Sequence, residues 1–65
     1  MTRAGDLSVE RLPNGLYRVF DYRAKWTVLY EERDGGLVYR GGPVDHRDYR
    51  EAVSVVLRAA AGSAS

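Results

Sequence analysis

Apolar and polar residues alternate along the first two thirds of the chain, in short runs separated by turn-forming residues. The alternating runs cover residues 6–12, 16–22, 26–33 and 37–40. Alternation with a period of two places successive side chains on opposite faces of a strand. Between the runs stand Pro13-Asn14-Gly15, residues 23–25, residues 34–36 and residues 41–43. The pattern therefore predicts four strands joined by short turns, which is typical of an antiparallel meander.

The first connection carries the sharpest turn signal. Asn and Gly both tolerate positive φ, so Asn14-Gly15 predicts a type I′ turn with a two-residue loop. That loop would place Leu12 opposite Tyr17 and Val9 opposite Phe20. The second connection, residues 23–25, has no glycine, and its length stays open by one residue. A one-residue slip exchanges the faces of the following strand, so the sequence leaves open which face of the sheet is exposed.

The last third of the chain has helical periodicity. Asp45 is expected to be the N-cap, with Asp48 near the positive end of the helix dipole and Gly62 as the stop. One apolar stripe with a spacing of three or four residues consists of Tyr49, Ala52, Val53, Val56, Leu57 and Ala60. The predicted fold is therefore α+β: a four-stranded antiparallel meander, or three strands and one short one, with a C-terminal helix packed on one face.

Length and composition narrow the class of protein. A chain of 65 residues forms one domain, with an expected ordered core at about residues 6–61 and flexible tails at 1–5 and 62–65. The absence of cysteine excludes disulfides and thiolate metal sites and favours the cytoplasm. No apolar run approaches the length of a membrane span, and no signal peptide is expected. The net charge of +1 gives no global attraction to nucleic acid.

Groups of residues that could act in catalysis are scarce. His46 lies between Asp45 and Asp48, but further metal ligands at usable spacing and a neighbouring nucleophile are missing. Helix capping accounts for both aspartates. The sequence therefore predicts a protein that is not an enzyme and has neither a metal site nor a cofactor.

Arginine and aromatic residues interleave around the second predicted strand, and this is the best candidate for a binding surface. Such residues can contact phosphates and stack on bases, although they also serve as ordinary packing in a small sheet. The candidate binding residues are Tyr17, Arg18, Tyr22, Arg23 and Trp26. A secondary basic face is predicted on the helix, formed by Arg47, Arg50 and Arg58.

Short motifs in residues 17–61 resemble a known family of DNA-binding domains. Tyr17-Arg18, Lys25-Trp26, the Arg33-Asp34 turn and an alanine-containing helix after a glycine-bearing strand are similar to the DNA-binding domain of plant ethylene-response factors and to the arm-binding domain of tyrosine integrases. The resemblance implies a three-stranded sheet that enters the major groove, with Arg18, Arg23 and Trp26 as contacts. The chain departs from the family at Leu29 and Glu31, where the family places groove-reading arginines, and in its additional first strand.

Two functions are therefore expected for a small non-enzymatic module. The first is binding of DNA or RNA through the open face of the sheet. The alternative is a protein-interaction module, such as a small regulator or inhibitor, that docks through its aromatic sheet face or self-associates as a homodimer.

Overall fold

The computed structural model describes residues 1–63 and consists of one antiparallel sheet and one helix. The five strands pair in sequence order, which makes the sheet a meander. The elements are β1 (Thr2–Ala4), β2 (Leu7–Arg11), β3 (Leu16–Asp21), β4 (Trp26–Arg33), β5 (Gly36–Gly41) and α1 (Arg47–Ser63). The predicted α+β class, with a meander and one C-terminal helix, is confirmed.

The strand β1 was not expected, because the sequence predicts a flexible tail at residues 1–5. The three residues of β1 are too few to show a period, and they form a strand by pairing with β2, with Arg3 opposite Ser8. Gly5 has a φ of 60°, which lets the chain reverse within two residues. The extra strand covers the edge of β2, which the four-stranded arrangement would have left unpaired.

The first hairpin has the expected turn residues but a different register. Asn14 and Gly15 both have positive φ, at 66° and 76°, and the N–H of Leu16 donates to the carbonyl of Pro13. Because proline has no N–H for the ladder, the N–H of Leu12 donates to the carbonyl of Leu16 instead, at 2.8 Å. The predicted pairs of Leu12 with Tyr17 and of Val9 with Phe20 are therefore wrong by one residue.

In the observed register of β2 and β3, Val9 lies opposite Val19 and Arg11 lies opposite Tyr17. The β-branched side chains of Val9 and Val19 thus meet as a cross-strand pair on the side of the sheet that the helix covers.

The second connection decides which face of the sheet is covered. The carboxylate of Asp21 accepts the backbone N–H groups of Arg23 and Ala24, and Lys25 has a φ of 66°. This turn places Asp21 opposite Trp26. As a result, the alternate residues of β4 that begin with Trp26 point towards the helix.

The core lies between this helix-covered face and α1. Eight apolar side chains are buried: Val9, Tyr17, Val19, Val28, Tyr30, Tyr49, Ala52 and Val53. Val56 and Leu57 are partly buried against this cluster. The predicted helix stripe is thus confirmed over its first part, whereas Ala60 is exposed.

The boundaries of α1 differ from those expected. The ring nitrogen Nδ1 of His46 accepts the N–H of Asp48 at 3.0 Å, and the carbonyl of His46 accepts the N–H groups of Tyr49 and Arg50. His46 therefore caps the helix, and the prediction of Asp45 as N-cap is wrong because other groups engage its carboxylate. Gly62 lies within the helix, while residues 64 and 65 of the expected tail lie outside the described residues.

Candidate interaction surface

The surface of the sheet opposite the helix, called here the open face, collects most of the arginines of the strands. Five arginines belong to strands, and strand alternation places four of them on the open face: Arg3, Arg18, Arg33 and Arg40. Arg11 lies on the other face, in the row of Leu7 and Val9. The open face thus carries a basic character that the net charge of the chain conceals.

Two of these arginines are paired with glutamates on neighbouring strands. Arg18 Nη2 donates to Glu10 Oε1, and the two side chains are 47% and 40% exposed. Arg40 Nε donates to Glu31 Oε1 at 2.6 Å. Exposed pairs of this kind stabilise a fold by at most about 1 kcal/mol, so their arginines can exchange partners at little cost.

The aromatic side chains of the open face form a small cluster beside the Arg18–Glu10 pair. The rings of Phe20 and Tyr22 meet edge to face, with centroids 4.9 Å apart. The guanidinium carbon of Arg3 lies 4.1 Å from the centroid of the Tyr22 ring, which is a cation–π distance. A shallow concavity of about 310 Å³ lies beside this cluster. It is lined by Met1, Ser8, Glu10, Arg18, Phe20, Tyr22 and Thr27.

The five predicted binding residues are separated by the fold. Arg18 and Tyr22 lie on the open face, and Tyr22 is 37% exposed. Arg23 lies in the β3–β4 turn with its guanidinium 3.9 Å from the Asp6 carboxylate. Tyr17 and Trp26 lie on the helix-covered side.

Tyr17 and Trp26, which the sequence predicts as binding residues, do not lie on the open face. Tyr17 is only 3% exposed, because its strand position alternates with that of Arg18. The indole N–H of Trp26 donates to the hydroxyl of Tyr49 at 2.8 Å, and this hydroxyl donates to Asp21 at 2.7 Å. Trp26 thus connects the sheet to the helix, although 38% of its surface remains exposed.

The hydrogen bond from Tyr49 is the largest cause that lowers the pKa of Asp21 below its usual range. Burial is the largest cause that raises the pKa of Tyr49. The charged carboxylate and the neutral phenol are therefore the forms that hold the β3–β4 turn against the helix.

The predicted basic face of the helix is largely engaged in internal contacts. Arg50 forms a two-point ion pair with Asp45 and donates to the carbonyl of Leu37 at 2.9 Å. Arg58 lies 3.2 Å from Glu51. Arg47 is exposed, and it has no ion pair within residues 1–63. A continuous basic stripe on the helix is therefore not present.

Asp45 is the centre of this cluster at the start of the helix. The hydroxyl of Tyr30 donates to Asp45 at 2.7 Å. Hydrogen bonds from Arg50, and then from Tyr30, lower the pKa of Asp45. Burial, together with the hydrogen bond to Asp45, raises the pKa of Tyr30 to about 12. These shifts belong to a structural contact between the helix, β4 and β5.

A second cleft, of about 320 Å³, lies between the start of α1 and the β3–β4 turn. It is lined by Asp6, Asp21 and Asp48, together with Arg23, His46 and Tyr49. Three carboxylates against one arginine make this cleft unfavourable for a phosphate-bearing ligand. Among residues 1–63, no group of histidine and carboxylate side chains is arranged to hold a metal ion.

Sequence reasoning missed Arg3, Arg40 and Phe20 as members of the open face. Arg3 was assigned to a tail, and Arg40 lies next to a change of register between β4 and β5. Phe20 shares its strand face with Arg18, which the alternation already indicated. The missing information was which face the helix covers.

No protein-family model matches this chain, and neither a characterised protein nor a solved structure is significantly similar to it. The resemblance to ethylene-response-factor and integrase domains therefore stays a prediction. In the described part of the chain, α1 is too short and too polar to cross a bilayer.

Proposed function

We propose that this protein is a small binding module that contacts nucleic acid through the open face of its sheet. The observation that carries the proposal is the unequal distribution of charge between the two sides of the sheet. The open side carries four arginines but only two glutamates, Glu10 and Glu31. The strand and helix residues of the other side carry equal numbers of carboxylates and arginines: Asp21, Glu32, Asp48 and Glu51 against Arg11, Arg47, Arg50 and Arg58.

The weak ion pairs of the open face support this proposal. A phosphate can replace Glu10 or Glu31 as the partner of Arg18 or Arg40, because the side chains of these two arginines are 47% and 43% exposed and such pairs contribute little to stability. The guanidinium groups of Arg3, Arg18 and Arg40 are also planar donors, which suit phosphate oxygens. The exposed part of Tyr22 adds a stacking surface beside them. A cytoplasmic location, as expected for a chain without cysteine, is part of the same proposal.

A protein partner is the second candidate, and a specific feature favours it. Val38 on the open face is 38% exposed, and Leu16 and Leu29 on the same face are only partly buried. Glu31 lies between Leu16 and Val38 in the strand register, so these apolar residues lie around the Arg40–Glu31 pair, and a partly neutralised surface of this type suits a protein interface.

A direct titration separates the two candidates. Fluorescence anisotropy with labelled mixed-sequence duplex and single-stranded oligonucleotides, at several salt concentrations, measures both affinity and its salt dependence. Engagement of all four arginines with phosphates gives a logarithmic salt slope of about −3 for a single strand. If neither oligonucleotide binds in a salt-dependent manner, the nucleic-acid proposal fails and the protein partner takes its place.

A further inference from the structure

The concavity beside Tyr22 has a combination of groups that differs from a simple phosphate-binding surface. Glu10 and Arg18 stand at one side, and the rings of Phe20 and Tyr22 stand at the other. A volume of about 310 Å³ lies at the lower end of the range for small-ligand sites. A carboxylate at this position repels a phosphate, so the concavity itself does not suit the nucleic-acid backbone.

A nucleobase has a matching interaction for these groups of the concavity. Its flat surface can stack on the exposed part of Tyr22, where Arg3 now lies over the ring. Its exocyclic amino group can donate to the carboxylate of Glu10, which is 40% exposed. Arg18 is then released from Glu10 and can contact a neighbouring phosphate. A base inside a duplex offers neither its stacked surface nor its paired edge to such a site.

We infer that this concavity is a subsite for one unpaired base that carries an amino group, and that the ligand of the open face is single-stranded nucleic acid. This inference rests on the proposed function and defines its ligand class. In this inference the sugar–phosphate backbone of the nucleic acid follows the rim of the open face, where Arg33 in β4 and Arg40 in β5 lie. Cytosine, adenine and guanine carry the required amino group, whereas thymine and uracil have only a ring N–H between two carbonyl oxygens that Glu10 repels.

The test compares labelled single strands of deoxycytidine, deoxyadenosine and deoxythymidine with a mixed-sequence duplex at one salt concentration. We expect the first two strands to bind several-fold more tightly than the thymidine strand or the duplex. Tyr22→Ala should weaken binding of the deoxycytidine strand about ten-fold through lost stacking. Val55→Ala, which lies on α1 outside the open face and is 43% exposed, is the control and should leave the affinity unchanged.

Glu10→Gln examines the amino-group contact separately. An amide can both donate and accept, so this variant should bind the three single strands with similar affinity. The change is exposed and nearly isosteric, which keeps the test decisive if Tyr22→Ala alters the fold. Equal binding of duplex and single strands, or unchanged strand preference in Glu10→Gln, would overturn the subsite while leaving the proposed function intact. Absence of binding to every oligonucleotide would overturn both.

Discussion

The two faces of the sheet are built from the same strands, but they differ in how their polar groups are arranged. On the helix-covered face, Val19, Val28 and Tyr30 are at most 1% exposed, and the polar atoms of Tyr30 and Tyr49 are hydrogen-bonded to carboxylates. On the open face, Arg18 and Glu10 are nearly half exposed and share one weak ion pair. The comparison shows that aromatic content does not identify a binding surface here, because aromatic rings lie on both faces. The position of the arginines does distinguish the faces.

The first prediction breaks the helix-covered face. Val53 is fully buried and Val55 is 43% exposed, although both lie in the same part of α1. Val53→Asp puts an unpaired carboxylate into the core and should cost several kcal/mol, about as much as the stability of the whole domain. Val55→Asp is the matched control and should shift the thermal midpoint by only a few degrees. Thermal denaturation followed by circular dichroism measures both, and a cooperative melt of Val53→Asp near the parent midpoint would show that the helix stripe is wrongly assigned.

The second prediction concerns Gly42, in the segment that joins β5 to α1, where the backbone passes very close to β4. Gly42 has a φ of +124°, and a Cβ atom there would lie 2.9 Å from the Thr27 carbonyl oxygen and the Val28 Cα. Gly42→Ala should therefore destabilise the fold by about 2–4 kcal/mol through backbone strain and overpacking. At Gly41 a Cβ meets no atom within 4 Å, so Gly41→Ala should be nearly neutral. Equal urea midpoints for the two variants would contradict this account.

The third prediction concerns the first hairpin, whose register sets the two faces of β2. Gly15 has a φ of 76°, which a β-branched residue adopts only with strain. Gly15→Val should cost roughly 1 kcal/mol or more, whereas Gly15→Asn should cost less because asparagine tolerates this region. Urea denaturation compares the variants, and an equal loss of stability in both would argue against strain at this position.

The smallest predicted effect concerns the loss of folding stability in acid. Hydrogen bonds lower the pKa of Asp21 and of Asp45 in the folded protein. Each carboxylate therefore contributes stability that is present above its ordinary pKa of about 3.9 and is lost as the pH falls through the lowered folded value. Asp21→Asn and Asp45→Asn should both flatten the decline of stability below about pH 4.

The control for the acid experiment is Asp34→Asn, in the β4–β5 turn. Asp34 has neither an ion pair nor a side-chain hydrogen bond among residues 1–63, so this substitution should leave the acid slope unchanged. Chemical denaturation at a series of pH values provides the slopes. A parent slope retained in both Asp21→Asn and Asp45→Asn would mean that these hydrogen bonds do not affect folding.

Much of the fold could be predicted because its determinants are local. Alternation and turn residues located four strands, and the stripe through Tyr49 and Val53 located the helix. The remaining differences have non-local or compensating causes. The missing N–H of Pro13 shifted the first register, and a three-residue strand had no period to detect. Asp45 does not cap the helix because its carboxylate is engaged by Tyr30, 15 residues away in sequence, and by Arg50 in the first turn of α1.

The candidate site was less predictable than the fold. Strand alternation correctly grouped Arg18 with Phe20 and Tyr22, but the sequence could not tell which group the helix covers. The turn at Asp21 decides this point, because its length sets the orientation of Trp26. Tyr17 and Trp26 are therefore on the helix-covered side and do not belong to the candidate site.

The most direct test of the central claim compares the salt dependence of binding for two double variants. Arg18→Ala with Arg40→Ala removes two arginines from the open face, and Arg11→Ala with Arg47→Ala removes two exposed arginines from the helix side. Both changes subtract the same charge from the whole protein. We predict that the open-face pair flattens the logarithmic salt slope for single-stranded DNA by about 1.4 and weakens binding, while the helix-side pair leaves the slope almost unchanged. An equal change in both pairs, or a larger change in the helix-side pair, would contradict the assignment of the open face as the binding surface.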